Sequence, residues 1–197
     1  VTYLVTAPDS SDAMGGVGEY TIDSTLFVDD FADGSEYVMD GETLNLDFNT
    51  NSIDSWENGD NVVGVRVMMN FGEDETSSGF GCAASNDAPD TVTGTVSHDE
   101  QNQTFQGDNQ GGSGMLVFEI IWYNSSLAES GNVSGMSESE IHEQLDAGGA
   151  GLGVYSLEIT VEADSGGGLG CQHSDDGEEV GYTIQLLILD YSIDAAS

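Results

Sequence analysis

Two cysteines, Cys82 and Cys171, are the residues of this 197-residue chain whose setting points most directly to chemistry. They are its only cysteines, and each ends a motif of glycine, an apolar residue, glycine and cysteine. Two cysteines in equivalent settings favour one disulfide, formed in an oxidising compartment. The alternative is a pair of buried free thiols in a cytosolic protein. A nucleophilic cysteine is disfavoured, because no base lies at a consistent position near both motifs.

Two groups of acidic residues have the composition of calcium sites, because carboxylate oxygens gathered around a turn glycine suit Ca²⁺. One group surrounds Gly34 and the other precedes and follows Gly177. Neither has the spacing of an EF-hand loop, and a solvated acidic loop is the alternative interpretation of each. The predicted ligands are Asp29, Asp30, Asp33 and Glu36 in the first group, and Asp175, Asp176 and Glu178 in the second.

The remaining chemistry-bearing residues do not indicate catalysis. His98, His142 and His173 share no metal-binding spacing, and we expect solvated imidazoles. The chain has no serine nucleophile elbow, phosphate-binding loop or dinucleotide fingerprint. Because acidic residues are so abundant, a glycosidase-like pair of carboxylates arises by chance in any fold. We therefore expect that the protein is not an enzyme, with a secreted hydrolase as the catalytic alternative.

Three tripeptides match the acceptor sequence for N-glycosylation, and they begin at Asn102, Asn124 and Asn132. They lie in or beside the two longest predicted loops, as expected for an exported glycoprotein. A chain rich in Asn, Ser and Thr also produces such tripeptides by accident.

The net charge constrains the partners and the environment. Thirty-seven acidic residues face one basic residue, Arg66, which gives a formal charge of −36. Such a surface repels nucleic acids and anionic lipids, so neither is an expected partner. It also repels itself, and this repulsion is screened when salt shortens the Debye length to about 3 Å at 1 M. We infer a salty working environment, either a halophile's cytoplasm or a marine exterior.

Arg66 has two interpretations. It is predicted to point outward from a strand, where it either binds an anionic ligand or pairs with a neighbouring carboxylate. Because carboxylates are so abundant, the simple ion pair is favoured.

The apolar residues arrive in alternating blocks separated by turn residues, which excludes disorder for the body of the chain. No apolar run reaches 18 residues, and the chain shows neither an initiator Met nor a signal peptide. We expect a processed mature form or an excised ectodomain.

The elements that must position these residues are mostly strands. The segments with alternating or β-branched sequence are Val1–Ala7, 19–28, 36–39, 43–49, 61–71, 91–97, 115–123, 152–163 and 180–193. Residues 29–35 and 98–114 are predicted as loops, and Asp40-Gly41 as the turn of a hairpin. Strand 115–123 is apolar on both faces, so we expect cover on both sides.

The two cysteine motifs follow similar strands, which suggests an internal duplication of residues 42–97 and 114–189. Residues 1–28 form the N-terminal strands. One short helix, 138–146, is inserted in the second repeat; Ser137 and Glu140 form its capping box. The sequence therefore predicts a single all-β domain, 1–197, folded as a two-sheet sandwich that is immunoglobulin-like or jelly-roll-like. The two cysteine motifs are predicted to lie side by side at one end.

The absence of Lys, the acidic surface, the loops rich in Gly, Ser and Asp, and the strand-rich body together resemble secreted or membrane-anchored β-sandwich surface proteins of halophilic and marine archaea. The resemblance is one of style and carries no family motif. It implies an extracellular or cell-surface location and a structural or adhesive role.

Two classes of function follow. The first is a non-catalytic structural subunit of a cell-surface filament or coat, whose N-terminal strand Val1–Ala7 joins it to other copies or other surface proteins. The second is a module that binds calcium or carbohydrate through the loops near the cysteines or through exposed aromatic residues such as Trp56. Glycans are a possible partner of such a module.

Overall fold

The computed structural model describes residues 16–50, 61–72, 76–79, 89–98, 101–108, 113–164 and 171–196. Of residues 76–79, 101–108, 113 and 171–173 it describes the backbone alone. The elements are β1 (Gly18–Met39), β2 (Thr43–Asn49), β3 (Val62–Gly72), β4 (Thr76–Gly79), β5 (Thr91–His98), β6 (Gln101–Asp108), β7 (Ser113–Ile121), α1 (Ser125–Ser130), β8 (Asn132–Met136), α2 (Glu138–Leu145), β9 (Val154–Glu162), β10 (Cys171–Ser174) and β11 (Gly177–Ala195). Neither helix is long and apolar enough to cross a bilayer.

The strands form two antiparallel sheets that pack face to face. Sheet A has the order β7-β3-β11-β1-β8, and sheet B has the order β2-β9-β5-β6. Strands β4 and β10 pair with each other in a separate ribbon. The chain passes repeatedly between the sheets, because β1, β3, β7 and β11 lie in sheet A and β2, β5, β6 and β9 in sheet B. This is the connectivity of a jelly roll. The predicted sandwich is thus confirmed, and the jelly-roll alternative is the correct one.

The strand order has a pseudo-two-fold relation. The relation exchanges β1 with β6, β2 with β7, β3 with β9, β4 with β10 and β5 with β11. This exchange converts the order β7-β3-β11-β1 of sheet A into the order β2-β9-β5-β6 of sheet B. Strands β4 and β10 exchange with each other, so their ribbon lies at the axis. The relation also includes β1 and β6, which the predicted repeats 42–97 and 114–189 leave out.

The main core lies between the two sheets and follows from alternation along the strands. Val65, Val67 and Met69 of β3 are 0% exposed, as are Leu157 and Ile159 of β9. All five belong to one cluster of packed apolar side chains. Since every second residue of a strand points to the same face, these spacings bury one face of each sheet. The alternation predicted for the two segments is confirmed.

A second core covers part of the outer face of sheet A. Leu127 of α1 and Ile141 and Leu145 of α2 pack there with Leu187 of β11. The neighbouring Leu186 is buried in the main core. Strand β11 is therefore covered on both faces here, which explains its continuous apolar sequence.

Strand β7 is covered on both faces only near its end. Phe118 and Ile120 are buried in the main core, and Ile121 packs against the second core. Met115 and Val117 are exposed. The prediction that β7 is covered throughout on both faces is therefore wrong for its first half.

Strand β1 continues through residues 29–35, so the acidic loop predicted there is wrong. Strand β11 pairs with it from Tyr20 to Met39, with one irregularity between Asp30 and Ala32. Because β11 supplies backbone partners along this whole length, the acidic residues remain in the strand, and their side chains are exposed.

The turn at Asp40-Gly41 forms, but it does not join a hairpin. Gly41 has the positive φ of 72° that the sequence predicts. The segments on either side lie in different sheets, and β2 pairs with β9 instead of β1. Turn chemistry was thus predicted correctly, whereas the partner of the following strand was not.

The helical region is partly as expected. Helix α2 begins at Glu138 and is capped by Ser137. The Ser137 side chain accepts from the Glu140 N–H and the Glu140 carboxylate accepts from the Ser137 N–H, so the predicted capping box is confirmed. Helix α1 was not predicted; it is capped by Asn124, whose side chain accepts from the Leu127 N–H at 3.0 Å. The loop predicted at 98–114 is wrong, because it contains β6, which pairs with β5.

Candidate functional site

Three carboxylates meet at one end of the sandwich. Asp90 directly precedes β5, Asp175 lies in the turn between β10 and β11, and Glu178 is the second residue of β11. One oxygen of each side chain lies within 4.8 Å of an oxygen of the other two. Asp90 and Glu178 are 0% exposed, and Asp175 is half-buried. We refer to Asp90, Asp175 and Glu178 as the carboxylate trio.

Backbone contacts fix the trio in place. The Asp90 Oδ1 accepts from the Asp164 N–H at 2.8 Å, just beyond the end of β9. The Asp175 Oδ1 accepts from the Gly177 N–H at 3.1 Å, which shapes the turn into β11. The three side chains are therefore supplied by strand ends that the sheets hold together.

No lysine or arginine side chain is available to pair with the trio. The protein has no lysine, and its one arginine, Arg66, is paired with Glu119. The rings of His98 and His142 are engaged elsewhere, and the side chain of His173 lies outside the described residues. Clustered buried carboxylates are costly unless they gain a proton or a cation. Their oxygens form the donor set that a hard divalent ion such as Ca²⁺ prefers.

The structure brings together only part of the predicted calcium ligands. Asp175 and Glu178 join the trio, and Asp176 is exposed beside them. The first group is spread along β1, where successive side chains point to opposite faces, and its members do not converge. All four of its members are exposed: Asp29, Asp30, Asp33 and Glu36. Asp30 accepts a hydrogen bond from Gln185 at 2.7 Å across the sheet.

Asp90 was missed by sequence reasoning, because no local pattern links it to the β10–β11 turn. One signal was available. The pseudo-two-fold relates the start of β5 to the start of β11, and an aspartate stands just before each strand, at Asp90 and Asp176. Equivalent segments that meet near an axis bring their acidic residues to the same end of the fold.

The cysteines are placed only in part. Cys82 lies outside the described residues, and Cys171 is the first residue of β10, for which the backbone alone is described. In the β4–β10 ribbon, Cys171 lies opposite Gly79, the first residue of the other motif. The disulfide stays a prediction.

The three predicted glycosylation sites have different settings. Asn102 lies in β6, where the backbone alone is described. Asn124 is exposed, and its Nδ2, the atom to which a glycan would attach, donates to Gln144 at 2.7 Å. Asn132 is exposed in β8, and its Oδ1 accepts from Thr21 at 3.2 Å. Glycosylation stays a prediction at each site.

His98 is not a solvated loop residue, and that prediction is wrong. It ends β5, is 3% exposed, and stacks on Tyr155 with 4.2 Å between ring centroids. Its Nδ1 lies 2.7 Å from the carbonyl oxygen of Val154, and its Nε2 lies 2.9 Å from that of Ala150. Since a carbonyl oxygen only accepts, both contacts are hydrogen bonds at once only when both nitrogens carry hydrogen. His98 thus holds the loop before β9.

Two other predicted polar residues behave as expected. His142 is exposed on α2, and its Nδ1 lies 2.7 Å from the hydroxyl of Tyr191. Burial raises the pKa of Tyr191, which favours a protonated hydroxyl that donates to His142. Arg66 forms an ion pair with Glu119 at 2.6 Å, which confirms the simple pairing interpretation.

Strand β1 has an edge that no other described strand covers. On the side away from β11, β8 pairs only with Gly18–Thr21, and the Ile22 N–H then donates to the Gly131 oxygen. Residues 25–36, which we call the β1 edge, have no strand beside them on that side among the residues that the structure describes. Three consecutive apolar side chains of this edge are exposed: Leu26 by 37%, Phe27 by 50% and Val28 by 37%.

An open hollow of about 610 Å³ lies beside α2. Its lining residues include Trp122, Tyr123, Glu140 and Glu143. Its open form is unlike the enclosed sites that bury a small ligand. Trp56, the residue predicted for carbohydrate binding, lies outside the described residues.

Comparison with known proteins gives no family. No family model matches the chain, and no curated protein matches it. Among solved structures, the chain is similar to one of Broad Bean Stain Virus (14% identity, 98% of this chain and 95% of that one, TM-score 0.28) and to an empty virus-like particle of Cowpea Mosaic Virus (12%, 97% and 88%, 0.30). It is also similar to the VP2 subviral particle of infectious bursal disease virus (10%, 88% and 38%, 0.31). With every one of these TM-scores below 0.5, these similarities carry no argument about function.

Proposed function

We propose that this protein is a non-catalytic, extracellular structural subunit that joins other copies of itself in a surface filament or coat of a halophilic archaeon. The observation that carries the proposal is the exposed apolar sequence Leu26–Val28 on the β1 edge. An exposed apolar strand edge is a template for another strand, and soluble proteins normally protect such edges. In this proposal, the N-terminal strand Val1–Ala7 of one copy is the connector.

The charge of the chain sets the conditions for assembly. Each copy carries a formal charge of −36, so copies repel one another strongly at low ionic strength. At molar salt the Debye length is about 3 Å, and short-range apolar contacts and hydrogen bonds then decide the outcome. We therefore expect assembly in high salt and dissociation in low salt.

Negative-stain electron microscopy and sedimentation in molar and in low salt test the proposal. Regular filaments or lattices of the full chain in molar salt are expected. A variant in which residues 1–8 are replaced by a Gly/Ser segment of equal length should remain monomeric, and it controls for chain length. Uniform single particles of the full chain in every salt would reject the structural role, and assembly by the replacement variant would reject the connector.

The carboxylate trio favours a second candidate, a calcium-binding module. Three acidic side chains converge at distances suited to one ion, and no Lys or Arg side chain can occupy that position. Calorimetry with CaCl₂ at constant ionic strength tests it, with MgCl₂ as the comparison. Saturable calcium binding that raises the melting temperature is expected for a calcium site. No heat of binding and no thermal shift would reject the calcium site.

A further inference from the structure

We propose that the β1 edge, residues 25–36, is the acceptor site for the strand Val1–Ala7 of a second copy. This inference rests on the proposed function and adds the surface that receives the connector. Such strand addition uses main-chain hydrogen bonds for affinity and side-chain contacts for selectivity.

The position of the edge within sheet A supports an acceptor role. Leu26 and Val28 lie opposite Leu189 and Leu187 of β11 in the strand register. Leu187 and Leu189 belong to the second core, which α1 and α2 cover farther along. An added strand would therefore extend a face that is already apolar, and would cover side chains that are now 37% exposed.

The charges on the edge select the kind of strand that can bind. Asp29, Asp30, Asp33 and Glu36 lie along it, and all four are exposed. An acidic strand would place like charges directly opposite these residues, which is destabilising. Val1–Ala7 has no acidic residue and is rich in β-branched and aromatic residues, so it can pair there without this repulsion.

The start of β1 favours a second copy over the same chain. The hydroxyl of Tyr20 donates to the Gly16 oxygen at 2.6 Å, which fixes where the preceding segment leaves the fold. Strand β8 occupies the edge next to that point. To reach Leu26 of its own chain, the segment must pass around β8 and then travel about 30 Å, taking roughly 3.3 Å per residue from Gly16 to Leu26. The nine Cα–Cα steps from Ala7 to Gly16 span about 30–32 Å when fully extended, which leaves too little length for the additional path around β8.

A photocrosslinking experiment tests the acceptor. A benzoylphenylalanine replaces Tyr3, copies labelled with ¹⁴N and ¹⁵N are mixed in molar salt, and crosslinked peptides are identified by mass spectrometry. Crosslinks from residue 3 to residues 25–36 of the differently labelled copy are expected. Crosslinks to the same copy, or to another surface, would overturn the inference.

A pair of matched variants separates the acceptor from the proposed function. L26D/V28D and L152D/V154D each replace two exposed aliphatic residues and each change the formal charge from −36 to −38, two more negative charges. Loss of polymer in the first variant and its retention in the second are expected, with unchanged circular dichroism in both. If L26D/V28D still polymerises, the acceptor is wrong although the structural role stands. If the full chain itself never polymerises, both the role and the acceptor fail.

Discussion

Buried polar side chains have different neighbours at the two ends of the sandwich, and β5 runs from one end to the other. At its start, Asp90 lies among other carboxylates. At its end, His98 faces the carbonyl oxygens of Ala150 and Val154. We call these the acidic end and the helical end. Near the helical end, the Asn61 side chain has one acceptor and one donor as partners. It donates to the Leu145 oxygen at 2.9 Å and accepts from the Ala147 N–H at 3.0 Å.

The difference separates structural polar residues from candidate binding residues. Where donors meet acceptors within the chain, a buried polar group is satisfied and holds the fold. Where three carboxylates converge, their oxygens form a donor set that a metal ion can bind. Burial alone therefore does not identify a candidate binding site, whereas the convergence of several carboxylates does.

The largest effect is expected at His98. His98→Ala removes a stacked, buried ring together with its hydrogen bonding to the carbonyl oxygens of Ala150 and Val154, which should cost about 3–5 kcal/mol of unfolding free energy. His142→Ala, on the exposed face of α2, is the control and should cost less than about 0.5 kcal/mol. Urea unfolding of both variants in molar salt measures the difference. Equal losses would mean that His98 does not hold its loop.

Glu178→Gln should give the next largest effect, and its size should depend on calcium. If the trio binds Ca²⁺ and the ion is present at about 100 times its dissociation constant, the wild type gains about 2.7 kcal/mol. Glu178→Gln should lose this gain, so the stability difference between the variant and the wild type should be larger in calcium than in chelator. The control is Glu179→Gln, at the exposed neighbouring position. An unchanged calcium response in Glu178→Gln would remove the trio from consideration.

Reciprocal exchanges of amide and carboxylate sharpen the comparison further. Asn61→Asp keeps the acceptor for Ala147 but sets a carboxylate against the Leu145 oxygen, so a loss of about 1–3 kcal/mol is expected. Asp90→Asn keeps an acceptor for the Asp164 N–H, and in chelator it should cost little. Thermal unfolding of both variants checks the contrast. A larger loss for Asp90→Asn would show that the acidic end depends on its charge without any metal.

The smallest effect concerns Glu140, an exposed carboxylate at the helical end. Hydrogen bonds from the Ser137 N–H and hydroxyl lower the pKa of Glu140. Because the folded pKa is depressed, the stabilisation is present above the unfolded value of about 4.3 and is lost as the pH falls through the folded pKa. An NMR titration of the Glu140 carboxyl should show its pKa rising in Ser137→Ala. An unchanged titration would contradict the capping contacts.

Features that depend on local periodicity were predicted from the sequence. The alternation in β3 and β9 placed Val65 and Leu157 in the core, and the spacing of Ser137 and Glu140 predicted the start of α2. The pairing of Arg66 followed from composition alone, because nearly every charged neighbour is acidic. Each of these outcomes rests on residues close in sequence or on a statistical excess.

Features that depend on distant partners were not predicted. The acidic segment 29–35 has the composition of a loop, and it is a strand only because β11 pairs with it. His98 follows a polar strand and precedes a polar segment, yet Tyr155 and Trp122 enclose it. Asp90 joins the trio through sheet contacts that its own neighbours do not indicate. In each case tertiary context overrides local composition.

The pairing of β1 with β11 also has a mechanical consequence. Tyr20 lies opposite Ala195, and the Ala196 N–H donates to the Glu19 oxygen at 2.9 Å, so the two ends of the described chain leave the fold side by side. Force applied between these two ends would separate β1 from β11 one residue pair at a time. Force that enters at the start of β1 and leaves through a strand bound along the β1 edge would instead act along the strands and load many hydrogen bonds together. A filament joined in that way would carry tension through β1 without pulling the two sheets apart.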